Sequence, residues 1–541
     1  MNDNDNLYAV LRAGFPADLD ATAIETCDTP GGPCFYTWRD LERASARIAN
    51  LLERLELAPA SRIAVHADKS VETLMLYLAV LRAGHVYLPL NTAYQAAELS
   101  YFIGNAEPAV VVCAKRNFPW LSRLAFGAGV RNVFTLDADR TGSLLDRAAF
   151  MSDEHAVQPR AADDLAAILY TSGTTGRSKG AMLTHGNLSS NALTLRDYWG
   201  WRRGPQGGCK PPPSPKGSEP ARGRPSADSG DVLIHALPIF HVHGLFVASH
   251  GALLSGSKML WFEKFDARAT IRAMARATVM MGVPTLYVRM LAEPSLTRDA
   301  VAQMRVFIAG SAPLLAETFE AWRERTGHTI VERYGMSETV MLTSNPYHAK
   351  DGERRAGTVG KPLPGVQLRV RGEDGTDCAV DEIGGIEVRG PSVFKGYWRM
   401  PEKTAEEFTA DGWFKTGDVG KIDDQGYVVI VGRSKDLIIS GGYNVYPAEI
   451  EGYLNEMAGV AESAVIGVPH RDFGEAVVAV VVPKHKAGLD SESLVAGLKA
   501  KIAGFKVPKQ LFVVNELPRN AMGKVQKNVL REQHKETFAG G

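Results

Sequence analysis

The run Tyr170-Thr171-Ser172-Gly173-Thr174-Thr175-Gly176-Arg177-Ser178-Lys179-Gly180 carries the densest chemistry in the chain. Its glycines let backbone N–H groups approach an anion closely. Its hydroxyls add directional donors, and Arg177 and Lys179 supply charge that a polyphosphate would neutralise. Upstream, the apolar Ala166-Ala167-Ile168-Leu169 reads as a buried strand; downstream, Leu188 to Leu195 reads as a helix. The expected order is therefore strand, glycine loop, helix, with the anion held near a helix N-terminus. The P-loop of kinases is excluded, because it closes on Gly-Lys-Ser/Thr, whereas Lys179 follows Ser178 and precedes Gly180. A metal centre is not expected at His235, His241, His243 and His250. The residues between them are apolar, and no carboxylate or cysteine completes a zinc set.

A loop of this kind needs a rigid scaffold, and 541 residues are enough for several buried cores. Lys plus Arg and Asp plus Glu both number 61, so net charge gives no reason to expect nucleic acid as a partner. The five cysteines are scattered without a Cys-x-x-Cys pair, which argues for a reducing compartment. The polar, acidic start Met1 to Asn6 is unlike a targeting peptide. No apolar run approaches the roughly 18 residues of a membrane span. A cytoplasmic protein with no membrane partner is expected.

Val71, Leu74, Met75, Leu78 and Leu81 recur at helical spacing before Gly84, and Val86 to Leu90 and Ala109 to Val112 read as buried strands. Such alternation indicates an α/β layer structure with largely parallel sheets. Residues 203–230 depart from it, with 13 Gly plus Pro in 28 positions and no Leu, Ile, Val or Phe. That composition reads as a disordered surface insertion. Beyond about residue 370, short Gly-punctuated strands (385–388, 427–431) suggest a small β-barrel-like subdomain. Arg433-Ser434-Lys435-Asp436 reads as a polar joint. After it, a helix from Pro447, strands near Ala464 and Val477 to Val482, a helix with Leu494 and Leu498, and a strand from Leu511 form a compact α+β unit. The boundary expected is Lys435, giving domains 1–434 and 435–541.

The run at 170–180 resembles the phosphate-loop signature of the adenylate-forming enzymes: acyl-CoA synthetases, luciferases and peptide-synthetase adenylation domains. Other segments follow in that superfamily's order. The resemblance implies that Thr171, Ser172, Gly173, Thr174, Thr175, Gly176 and Lys179 cradle the phosphates of ATP. In Glu332-Arg333-Tyr334-Gly335-Met336-Ser337-Glu338-Thr339, it implies Tyr334 packed on adenine, Glu338 holding Mg2+ and Thr339 bonding the α-phosphate. An aromatic face does suit a purine, and one carboxylate plus phosphate oxygens suits hydrated Mg2+. Ala309 to Pro313 resembles the backbone lying against adenine, with Ala312 and Pro313 in contact. Thr416-Gly417-Asp418 resembles the ribose-binding motif, with Arg433 also reaching the ribose and Lys435 serving as hinge. Pro518 to Lys524 resembles the catalytic-lysine loop, in which Lys524 bridges carboxylate and α-phosphate as charge develops. Ser440-Gly441-Gly442-Tyr443-Asn444 resembles the glycine loop lining the pantetheine tunnel for coenzyme A. Lys524 and that loop share the small domain, so rotation about Lys435 would exchange them between two reactions.

The acid is read from Gly282-Val283-Pro284-Thr285-Leu286-Tyr287-Val288-Arg289. If Arg289 points inward it suits a substrate with a second carboxylate; on a helix from Pro284 it could equally face solvent. Outside 203–230 the chain resembles the malonate–CoA ligases of the superfamily, through Val86 to Tyr94, His235 to Leu245, the arginine after Val-Pro-Thr, and Asn520 to Lys527. The resemblance implies Arg289 and Ser311 on the distal carboxylate and His243 beside the acyl group, with Lys524, Thr339 and His243 as the catalytic set. It further implies ATP-dependent ligation of malonate to coenzyme A through a malonyl-adenylate, releasing AMP and pyrophosphate. Methylmalonate or another short acid, and a stand-alone adenylation domain, stay open as alternatives. The 203–230 segment departs from the pattern, since relatives join Trp199 to the Asp231 strand by a short turn.

Overall fold

The computed structural model describes residues 4–28, 31–171, 178–203, 230–440, 443–484, 489–520 and 523–538. All but the ends of the 203–230 segment lie outside these residues. So do Ser172, Gly173, Thr174, Thr175, Gly176, Gly441 and Gly442.

Two large sheets build the N-terminal part. One has six strands in the order Asn132–Thr135, Val110–Cys113, Arg62–His66, Val86–Pro89, Leu165–Thr171, Lys179–Thr184. The other has nine, with Thr22–Thr26, Lys258–Trp261, Val232–His235, Val279–Gly282, Val306–Ala309 and Ile330–Tyr334 adjacent and parallel, and short antiparallel strands at both edges. Their parallel strands are almost wholly apolar because helices cover both faces. The helix Val71–Arg82, capped by Ser70, is buried along its whole length. One continuous core includes it and residues of both sheets, such as Ile63, Ala167, Leu233 and Ile308.

The expected strand–loop–helix order around the phosphate loop is corrected. Lys179–Thr184 pairs antiparallel with Leu165–Thr171, Lys179 opposite Thr171, so the strand before the loop is followed by a return strand and not by a helix. The helix His185–Tyr198 starts at the far end of that return strand. At about 3.3 Å per residue, its N-terminus stands roughly 20 Å from the loop. Lys-Gly-Ala-Met-Leu-Thr has weak strand propensity, and tertiary pairing overrides it. The strand is clasped on its other edge by Met182 N–H to the Gly396 carbonyl (2.9 Å) and Trp398 N–H to the Gly180 carbonyl (2.8 Å).

The Gly-punctuated strands form an open antiparallel sheet, Gln367–Arg371, Gly384–Arg389, Phe414–Ile422 and Val428–Arg433. The smaller C-terminal part is a five-stranded sheet centred on Val460–His470 and Gly474–Pro483, with helices Pro447–Asn455 and Ser491–Lys499 and its own cores. Among the described residues, no helix is long and apolar enough to cross a membrane.

Candidate active site

Four neighbouring parallel strands of the nine-stranded sheet end side by side. Val232–His235 leads to His241 and the π-helical turn His243–Ser249. Val279–Gly282 leads to the helix Pro284–Leu291, Val306–Ala309 to Gly310 and Ser311, and Ile330–Tyr334 to Glu338 and Thr339. Strands about 4.8 Å apart thus gather side chains distant in sequence. The carboxyl ends of parallel strands are where open α/β sheets bind ligands.

On one side of this cleft Ser311 sits at φ +71°, a left-handed conformation that costs a non-glycine residue on the order of 1 kcal/mol or more. Its Oγ lies 3.3 Å from His243 Nδ1. Arg333 is buried against Gly310, where a Cβ would stand 2.6 Å from Arg333 Cζ. Its Nε and Nη2 have no hydrogen-bond partner among the described residues. Burial pulls the guanidinium down to about 9, against the raising influence of Tyr287 and Glu332. Glu332, next to it on the strand, points to the opposite face. Burial pushes that carboxyl up to about 8, although Leu314 N–H donates to its Oε1 at 2.9 Å and Arg333 is adjacent. Burial, then Arg333 and Lys524, bring His241 down to about 4, and burial with Arg333 holds His243 well below its ordinary value. Burial thus disfavours the charged form of both imidazoles, and among the described residues no carboxylate forms an ion pair with the buried Arg333 guanidinium. That state is costly unless a ligand supplies the charge.

On the other side the Tyr334 hydroxyl donates to Asp418 Oδ2, and Asp418 Oδ1 lies 2.8 Å from Arg433 Nε. Asp418 and Arg433 face each other on paired strands, so sheet register fixes their contact. Glu338 is buried and accepts from the Tyr397 hydroxyl at 3.0 Å. Burial raises its pKa, with Tyr397, Arg433 and Lys179 pulling the other way. Lys179 Nζ is 3.1 Å from Glu407 Oε1 and 4.1 Å from the centre of the Tyr397 ring. Thr339 is fully buried, its Oγ1 accepting from Met336 N–H at 3.3 Å.

A turn from the C-terminal part closes over the cleft. Lys524 N–H donates to Asn520 Oδ1 (3.0 Å), Asn520 N–H donates to the Lys524 carbonyl (2.9 Å), and Gly523 takes φ +75°. A Cβ on Gly523 would lie 3.6 Å from Thr285 Oγ1, which seats the turn on the Pro284–Leu291 helix. Lys524 is exposed as a whole residue, yet protein crowds its ammonium. Burial and Arg433 lower its pKa, while Asp418 and Asp436 raise it.

Models of two protein families match the chain: AMP-binding enzyme over residues 16–398, and AMP-binding enzyme C-terminal domain over residues 449–524. The chain belongs to the AMP-binding enzyme family. It is 34% identical to a malonate–CoA ligase of Arabidopsis thaliana, the match covering 87% of this chain and 78% of that protein. Among solved structures it resembles ATP-bound MatB from Rhodopseudomonas palustris, with 52% identity, 99% of this chain and 100% of that one covered, and a TM-score of 0.90. Against apo MatB from the same organism, at equal identity and coverage, the TM-score is 0.80.

In this AMP-binding enzyme, Ser311 meets His243, Tyr334 meets Asp418 and Asp418 meets Arg433, Glu338 and Lys179 flank Tyr397, and Lys524 lies within electrostatic reach of Arg433 and Asp418. Thr171 ends its strand with Oγ1 3.4 Å from the Lys179 carbonyl. Ala312 is half-buried and Pro313 exposed on the segment leaving Ser311. Arg289 is exposed, one turn beyond Thr285 and on the same helix face. Lys435 is exposed in a single 3-10 turn, beside Asp436, which is 2.7 Å from Arg531 Nη2. Three residues escaped sequence reasoning: Arg333, Tyr397 and Glu407. A signal for Arg333 existed. Consecutive charges in Ile-Val-Glu-Arg-Tyr point to opposite faces of a strand, and where both faces are covered neither charge reaches water.

Proposed function

We propose that this chain ligates malonate to coenzyme A in two steps at one cleft. In the first, a malonate carboxylate oxygen attacks the α-phosphorus of ATP, and pyrophosphate leaves. In the second, the thiolate of coenzyme A attacks the acyl carbon of the malonyl-adenylate, and AMP leaves with the bridging oxygen. The observation that carries the choice of acid is Arg333, a buried guanidinium packed on Gly310 beside the Ser311–His243 contact, whose Nε and Nη2 have no partner among the described residues. Malonate keeps one carboxylate ionised after the other is adenylated, and that carboxylate gives Arg333 its anion. Arg289 approaches the same group from the helix on which the lysine turn is seated. The malonate–CoA ligase relative supports the same acid.

Lys524 neutralises charge developing between the carboxylate and the α-phosphate. Tyr334 packs on adenine beside Ala312 and Pro313, while Asp418 and Arg433 take the ribose hydroxyls. Thr339 bonds the α-phosphate, and the glycine-rich 171–179 segment with Lys179 takes the other phosphates. The Glu338 carboxylate fits Mg2+, because a hard oxygen ligand whose burial disfavours its charge gains from a divalent cation. Bound there, Mg2+ would offset phosphate charge. The reading divides the chain at Lys435 into domains 1–434 and 435–541. Rotation there withdraws Lys524 and brings Gly441 and Gly442 to line the thiol path. Cys27, Cys34, Cys113 and Cys378 are free thiols, which suits a reducing cytoplasm.

The test is pyrophosphate release across malonate, methylmalonate, succinate, propionate and benzoate, with and without coenzyme A. The expected outcome is strong preference for malonate, with full turnover requiring coenzyme A. Preference for propionate or benzoate would overturn the reading.

A further inference from the structure

His235 is wholly buried at the end of its strand, and no step above uses it. Its ring lies on the Trp261 indole, centroids 4.5 Å apart with 25° between planes. Its Nε2 is 3.0 Å from the Gly244 carbonyl oxygen and 3.0 Å from Ser249 Oγ. Ser249 Oγ is in turn 2.9 Å from that carbonyl. A carbonyl oxygen only accepts, so the Ser249 hydroxyl and His235 Nε2 both donate to it. This fixes the neutral tautomer with hydrogen on Nε2. Burial, with Lys69 nearby, keeps a second proton off Nδ1, which has no partner among the described residues.

These contacts brace the π-helical turn His243–Ser249 at both ends, since Gly244 to Ser249 is the five-residue step of such a turn. An inserted side chain is a known cause of departure from α-helical bonding. The helix beyond is anchored by His250 Nε2, 2.8 Å from the Tyr77 hydroxyl. The wedge itself is anchored by Lys69, whose Nζ donates to the His235 and Phe262 carbonyls at 2.8 and 2.6 Å. Gly244 passes so close to the preceding loop that a Cβ would stand 2.1 Å from the Pro238 carbonyl oxygen. If the turn relaxed to α-helix, His243 would swing by roughly 100° about the axis, one residue's worth, and leave Ser311.

We propose that His235 is a positioning residue for acyl selection: through the Gly244 carbonyl, its Nε2–H holds the π-helical turn that presents His243 to Ser311 beside Arg333. The inference rests on the acyl site assigned above. Glutamine can place an N–H where the ring carries Nε2; asparagine is too short. His235→Asn and His235→Leu should raise the KM for malonate about tenfold or more, with the KM for ATP within about twofold. His235→Gln should stay within about threefold of the parent for both. Ser249→Ala, which removes one of the two donors and suits a milder test should the leucine variant not fold, should raise the malonate KM about threefold. The proposal is overturned if folded His235→Asn and Ser249→Ala keep the parent malonate KM. It is also overturned if His235→Gln fails as badly as His235→Asn, or if the two KM values rise together. A parent enzyme without malonate-dependent pyrophosphate release would instead overturn the malonate reading, and with it the site His235 serves.

Discussion

Replacing Arg333 with methionine should move stability and activity in opposite directions. A guanidinium held at about 9 instead of 12.5 is disfavoured in the ligand-free protein by up to about 5 kcal/mol. Methionine removes the charge and keeps most of the apolar length, giving back about 1–2 kcal/mol through poorer packing against Gly310. The ligand-free variant should therefore be more stable by up to about 3–4 kcal/mol, seen as a melting temperature higher by a few degrees. With malonate the sign reverses. Removing one partner of a buried ion pair costs about 3–5 kcal/mol, or roughly two to three and a half orders of magnitude in kcat/KM. Propionate has no second carboxylate to lose, so its turnover should change little or improve. Melting of the ligand-free protein and pyrophosphate release with each acid read both effects. A variant that is less stable and keeps malonate kcat/KM within tenfold would refute the reasoning. Equal losses with both acids would do the same.

Lys524→Ala should abolish adenylate formation yet leave thioester formation from supplied malonyl-adenylate largely intact, because its charge is needed only in the first step; equal loss of both half-reactions would contradict the hinge. Deleting residues 204–229 should leave turnover within a few-fold and the melting temperature unchanged or higher. The ends are already pinned, with Asp231 N–H 3.1 Å from the Arg202 carbonyl, Arg202 N–H 2.8 Å from Asp231 Oδ2, and Asp231 paired to Arg305. A collapse of activity in folded protein would give the segment a role in the cleft. Glu332 titrates at about 8 in the fold against 4.5 in the open chain. Between those values the folded state binds more protons, so this group's contribution falls as pH rises and is lowest above about 8. Glu332→Gln, which keeps an acceptor for Leu314 N–H, should therefore raise the melting temperature more at pH 8 than at pH 5; a gap independent of pH would show that Glu332 ionises freely.

Much of the candidate site could be proposed from the sequence because its residues lie in short local runs. Tyr334, Glu338, Thr339 and Asp418 sit in short runs that resemble the nucleotide motifs of the superfamily; Ser311, Glu338 and Thr339 follow strand ends, Tyr334 closes its strand, and Asp418 lies within one. The return strand after the phosphate loop was not legible, because Gly180 and Ala181 give it no local preference and the distant Gly396 and Trp398 hold its other edge. Arg333 was hidden for a related reason: its burial depends on helices covering both sheet faces. The π-helical turn was hidden more deeply still. Nothing in His243-Gly244-Leu245-Phe246-Val247-Ala248-Ser249 departs from an α-helical pattern; the cause is the His235 wedge on another element. Arg289, readable either way from spacing, is exposed on the helix face that meets the lysine turn.

The most direct test of the central claim follows oxygen. Malonate labelled with 18O in both carboxylates is turned over with ATP and coenzyme A, and the products are weighed by mass spectrometry. Attack of a carboxylate oxygen on the α-phosphorus, then thiolysis, requires one 18O in each AMP and three in each malonyl-CoA. Unlabelled AMP, or label in inorganic phosphate beside ADP, would contradict a malonyl-adenylate and the account built on it.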